Sequence, residues 1–118
     1  MGLFGRPRRP LEARNEPSVR FLQEQDGGNE RRLKAALVAD LVAHGASRAY
    51  LARVQYRDST SPDVALCVVG PHSTELLKSV DACFGRLAGR DAHLDILFLT
   101  EVQEKDLQKV CNPFLGAA

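Results

Sequence analysis

Tryptophan is absent and there are only two tyrosines and five phenylalanines, so aromatic residues make up 6% of the chain. The core must therefore be assembled from Leu, Val and Ala, and a base-stacking platform has few rings to draw on. Cysteine is scarce as well: Cys67, Cys83 and Cys111 are widely spaced, with no CxxC pair. That pattern excludes a disulfide framework and offers no zinc-ligand spacing, which points to a reducing, intracellular setting. No stretch approaches the ~20 apolar residues of a membrane span. The opening "MGLFGRPRRP" has basic residues but no apolar run of signal-peptide length behind them, and no Ser or Thr at position 6 to complete a myristoylation pattern. Neither sign of charge dominates, with 16 basic against 15 acidic side chains and a net charge of +1. Nothing global selects nucleic acid or an anionic membrane. A Walker A loop, GxGxxG, HExxH and GxSxG are all missing, so no catalytic residue is nominated. The expectation is a cytoplasmic, non-enzymatic protein without cofactor, metal, nucleic-acid or membrane partner.

What is present suits one domain of 118 residues with 44% apolar and 26% charged residues. Residues 1–17 carry three prolines and four arginines among acids, a flexible basic tail in its plainest reading. The domain then runs from 18 to 118. "SVRFLQ" (18–23) reads as a short strand, broken by "DGG". Asn29 is placed to cap a helix over 30–44, in which Leu33, Leu37 and Leu41, joined by Val38 and Val42, form an apolar stripe. Residues 48–56 alternate, with Tyr50, Ala52, Val54 and Tyr56 on one face. The polar turn 57–62 makes a hairpin with 63–69. Ser73 can cap a second helix whose Leu76, Leu77, Val80, Cys83, Phe84 and Leu87 have clear helical spacing, stopped by Gly89. A strand over 93–99, a short helix over about 103–110 and "NPFLGAA" follow.

The order β-α-β-β-α-β-α predicts an α+β fold: a mixed sheet with helices packed on it, ferredoxin-like or related. Two runs strain that plan. In "DVALCVVG" (63–70), Val64, Leu66 and Val68 fill one face, and Ala65, Cys67 and Val69 fill the other. In "HLDILFLT" (93–100), Leu94, Ile96 and Phe98 face one way, and Leu97 and Leu99 the other. A ferredoxin-like order would set 93–99 at an edge and 18–23 in the centre. Edge strands are usually blunted by charge, so the apolar content asks for the reverse. Something must also cover the second face.

Local chemistry is sparse. Gly70, His72, Ser73 and Thr74 stand at a strand end and helix start, where free amides attract anions, although Ser73 already has work as a helix cap. His44 suits a helix C-terminus, and His93 begins a strand. Tyr50 and Tyr56, near Arg53 and Arg57, could stack bases or pack in the core. Cys67 and Cys111 offer thiols for a redox or enzymatic role.

"RAYLARVQY", a polar turn, "PDVALCVVG", an amphipathic helix, "LDILFLT" and a closing "NPFL" resemble the C-terminal domain of the bacterial enhanced serine sensitivity protein SseB (not the type III secretion protein of the same name). The resemblance covers residues 18–115, with Leu115 standing where the family has a closing Tyr. It implies a cytoplasmic protein loosely linked to serine metabolism, with no active site to carry over. It also places Phe114 and Leu115 as a cover for the second face of the two apolar strands. Two functions are then expected. One is an interaction domain, a homodimer or a module for an unidentified protein partner, using Cys67, Val69, Leu97, Leu99, Phe114 and Leu115. The other is a sensor of an amino-acid-like metabolite at Gly70, His72, Ser73 and Thr74.

Overall fold

The computed structural model describes residues 13–14, 19–57, 60–89 and 94–116. The expected tail, apart from Ala13–Arg14, and His93 lie outside the described residues. The elements are β1 (Ala13–Arg14), β2 (Arg20–Glu24), α1 (Gly28–Ala43), β3 (Arg48–Gln55), β4 (Asp63–Val69), α2 (Thr74–Ala88), β5 (Asp95–Phe98) and α3 (Glu101–Gln108). From β2 onward this is the α+β order expected from the sequence, with β1 an addition.

Local chemistry accounts for the helix ends. Ser73 Oγ accepts from the Leu76 amide at 3.1 Å and opens α2, which stops at Gly89 with a φ of 86° that L side chains rarely adopt. Thr100 and Gln103 form a reciprocal capping box at the start of α3. α1 differs from expectation: its cap is Gly27 rather than Asn29, with no side-chain hydrogen bond. His44 is its C-cap, with Nδ1 2.8 Å from the Asp40 carbonyl.

The sheet order is β1-β5-β4-β3-β2, with β2–β3 and β3–β4 antiparallel and β4–β5 and β1–β5 parallel. The ferredoxin-like order is thereby corrected. β5 sits inside the sheet between β4 and β1, and β2 is an edge. The reason is burial: β5 is apolar on both faces, whereas β2 carries Arg20 and Gln23, both exposed.

Two apolar clusters lie on opposite sides of this sheet. On the first side α1 (Leu33, Leu37, Leu41) and α2 (Leu76, Val80, Cys83, Phe84) cover Ala49, Leu51, Val64, Leu66, Val68, Leu94 and Ile96. Val42 and Leu87, counted in the stripes from sequence, are instead 56% and 41% exposed. On the second side Tyr50, Ala52, Val54, Tyr56, Ala65, Cys67 and Leu97 lie beneath Leu107 of α3 and Cys111. The alternation read in the two runs therefore assigns each side chain to its observed side, and α3 supplies the missing cover.

Phe114 and Leu115 were expected on the second face but pack, partly buried, against the first cluster. β2 pairs with β3 only over residues 52–55, which leaves the upstream edge of β3 open. The Phe114 amide donates to the Ala49 carbonyl at 2.8 Å, and the Ala49 amide donates to the Leu115 carbonyl at 3.2 Å. Gly116 then turns with a φ of 79°, where a Cβ would meet the Ser47 carbonyl oxygen at 2.4 Å. Deleting residues 113–118 removes this added strand and should cost about 1–3 kcal/mol from lost apolar burial. For a domain of this size that lowers Tm by roughly 4–20 °C. An unchanged melting temperature would show that the bridge is ornamental.

Candidate functional site

α3 touches the sheet through a polar seat as well as an apolar one. Arg48 and Tyr50 are two apart on β3 and so project from the same face. Glu104, Leu107, Gln108 and Cys111 recur at helical spacing and face them. Arg48 Nε and Nη2 donate to Glu104 Oε2 and Oε1 at 2.5 and 2.8 Å, a two-pronged ion pair. The Tyr50 hydroxyl donates to Glu104 Oε2 at 2.6 Å and accepts from Gln108 Nε2 at 3.0 Å. Tyr50 is fully buried and Glu104 is 8% exposed.

The electrostatics follow from those contacts. The Arg48 guanidinium, helped by Tyr50, holds the Glu104 carboxyl below its usual range against the opposing effect of burial. The same carboxylate raises the pKa of Arg48. Burial first, then the neighbouring carboxylate, pushes the Tyr50 phenol up. These contacts join α3 to β3 through Arg48, Tyr50, Glu104 and Gln108, and so position a helix.

Beside it, β2 and α3 bound a groove of about 280 Å³ lined by Val19, Arg20, Phe21, Asp106, Lys109 and Val110. Val19 and Phe21 form part of the second cluster's rim, and Val110 is 39% exposed. The outer edge of β2 runs alongside, since β2 ends the sheet. Leu22 is an extra residue in that strand, because Phe21 pairs with Val54 and Gln23 with Arg53. Such a bulge changes which face later side chains use. Arg20 pairs with Gln55 yet its side chain lines the groove beside α3, and Glu24, opposite Ala52, reaches both Lys34 of α1 and the Asn112 amide.

The residues singled out in the sequence divide among several places. Ser73 spends its hydroxyl on the α2 cap, and Thr74 is exposed at the first turn. His72 packs on Phe98, with ring centroids 4.5 Å apart. A side chain at Gly70 would meet the backbone of Gly45 and Ala46 at 3.0 Å, so chain packing accounts for that glycine. Cys67 and Leu97 are buried beneath α3, while Val69 and Leu99 are half-buried at its margin. Tyr50 and Tyr56 are core residues, 0% and 2% exposed, and cannot stack bases. Burial pushes the thiols of Cys67 and Cys83 up, and that of Cys111 to about 12, which suppresses thiolate chemistry at neutral pH. Among the described residues no group of His, Cys, Asp and Glu could hold a metal, and no helix is long and apolar enough to cross a membrane.

Sequence reading missed Glu104 and Gln108. The available signal was a carboxylate three residues before Leu107 and seven before Cys111, in the stripe that should face the sheet. Compared with protein-family models, curated proteins and solved structures, the chain matches none.

Replacing Glu104 by Ala leaves the Tyr50 hydroxyl and Arg48 without their acceptor. Losing hydrogen bonds to a charged group should cost about 1.5–3 kcal/mol in urea denaturation. A carboxyl held low in the folded state adds stability above its unfolded pKa near 4.5, and that stability fades as pH falls through the lower folded value. The gap between wild type and Glu104→Gln should therefore be constant above about pH 5 and close in more acid solution. A gap unchanged down to about pH 3 would assign the effect to packing alone.

Proposed function

We propose that this chain is a cytoplasmic, SseB C-terminal-like interaction domain without catalytic activity. In this reading it docks an extended segment of a partner polypeptide along β2, with an apolar side chain in the groove against α3. The observation that carries the reading is the outer edge of β2, unpaired among the described residues, beside the apolar walls Val19, Phe21 and Val110. Added strands bind by main-chain hydrogen bonds and gain specificity from pockets for alternate side chains. At about 280 Å³ the groove has room for a large apolar side chain of a docked strand. Arg20, Asp106 and Lys109 give it a mixed-charge rim, suited to a segment that alternates apolar and polar residues.

The same geometry bears on a homodimer. Antiparallel pairing of β2 with its own copy about Leu22 would set Arg20 opposite the copy's Glu24. Both Glu24 carboxylate oxygens are already engaged within the fold, by Lys34 and by the Asn112 amide, so Glu24 has little to offer the copy's Arg20. A different polypeptide is the better fit. The metabolite reading has less support, because Ser73 and His72 are already engaged within the fold.

Two measurements test this. Sedimentation velocity from ~1 to ~100 μM, spanning micromolar association, should show a monomer throughout. Selection from a displayed library of linear peptides should then enrich alternating apolar–polar sequences whose amide shift changes map to residues 19–24 and 106–110. Val110→Arg should weaken their binding at least ~10-fold, the ~1.4 kcal/mol expected from losing one apolar wall. A library without enrichment, binding that maps elsewhere, or a dimer split by Val110→Arg would overturn the proposal. A saturable melting shift with serine would favour the metabolite sensor instead.

A further inference from the structure

The second cluster raises a question of its own: why an eight-residue helix is fastened with an ion pair over a sheet face that buries Cys67, with Cys111 of the covering segment beside it. The helix-side cluster has fourteen buried members, and none comes from residues 100–116. Only Phe114 and Leu115 touch it, and only partly buried. That cluster can thus remain closed without α3. α3 is shorter than the ~12–15 residues below which isolated helices are marginal in water, so it keeps its shape only on its seat. Its buried side chains are Glu104 and Leu107, followed by Cys111, while Val102 is 71% exposed. Further ties include the Asn112 amide, which donates to Glu24 Oε1 at 3.2 Å, the Cys111 thiol, which donates to the Leu51 carbonyl at 3.6 Å, and the two-residue bridge to Ala49.

We propose that residues 100–116 form a latch that leaves the sheet as one unit while β2–β5, α1 and α2 stay folded, with the Glu104–Arg48–Tyr50 contact as its catch. Opening uncovers Tyr50, Ala65, Cys67 and Leu97. It also removes one wall of the groove, because Asp106, Lys109 and Val110 belong to the latch. The segment is therefore a conformational control on docking. A strand seated between β2 and α3 binds only the closed form and holds it shut. This last step rests on the groove reading; the latch itself does not.

The three cysteines report the motion without any ligand. Cys67 lies on the sheet under the latch, Cys111 belongs to the latch and is buried against the same cluster, and Cys83 lies in the opposite cluster between α2 and the sheet. The native full-length chain is treated with 5,5′-dithiobis(2-nitrobenzoate) near pH 8, close to the ordinary thiol pKa of ~8.5, and the modified positions are mapped over time. A latch makes Cys67 and Cys111 react together, at least tenfold faster than Cys83. Glu104→Gln should raise both rates by a further tenfold or more and leave Cys83 unchanged. The idea is overturned if all three thiols share one rate, which marks global unfolding, or if Cys111 reacts without Cys67, which marks a fraying end. It is equally overturned if Glu104→Gln accelerates Cys83 as much as the others. Since this readout uses no peptide, its failure is separate from a failure of the library selection, which uses no thiol chemistry.

Discussion

A sheet that is apolar on both faces has to be covered on both, and most of this structure answers that demand. The strand β4 contributes Val64, Leu66 and Val68 to one side and Ala65 and Cys67 to the other, all nearly or fully inaccessible. Two long helices meet the requirement on the first side mainly by apolar contact, with α1 adding a Lys34–Glu24 ion pair to β2. On the second side only eight helical residues are available, and they bury one leucine. The polar seat makes up the difference: Glu104 draws α3 down through Arg48 and Tyr50, and Leu107 and Cys111 then exclude water. Buried charge of this kind is tolerable because every prong is partnered.

The two covers differ in strength for that reason. The cover formed by α1 and α2 is continuous with the largest cluster of the molecule, so removing it means unfolding. The cover formed by α3 depends on a few contacts, one of them electrostatic and therefore open to change by protonation or by a partner. Local stability is seldom uniform, and elements with few buried apolar contacts open first. A groove that borrows one wall from the weaker cover links that unevenness to docking at the edge of β2.

The edge itself is a compromise. An unpaired strand invites uncontrolled pairing, and β2 is short, charged at Arg20 and bulged at Leu22. The opposite edge of β5 is met by Ala13–Arg14, and the open stretch of β3 by Leu115. Of the two strands that end the described sheet, β2 is the longer, at five residues against two for β1.

Element types and their order were legible in the sequence because they depend on local periodicity: period two in 48–56 and 63–69, helical spacing in 76–87, cap chemistry at Ser73 and Gly89. Even the two-faced assignment of Leu94 to Leu99 followed from alternation, and it anticipated that β5 belongs inside the sheet. Strand order, by contrast, is a long-range choice among pairings that alternation leaves equally satisfied. So is the meeting of Arg48 with Glu104, 56 residues apart, which no local rule brings together. The sequence by itself determined which faces must be dry; only the tertiary structure decided that a charged helix, and not Phe114 and Leu115, would keep the second one so.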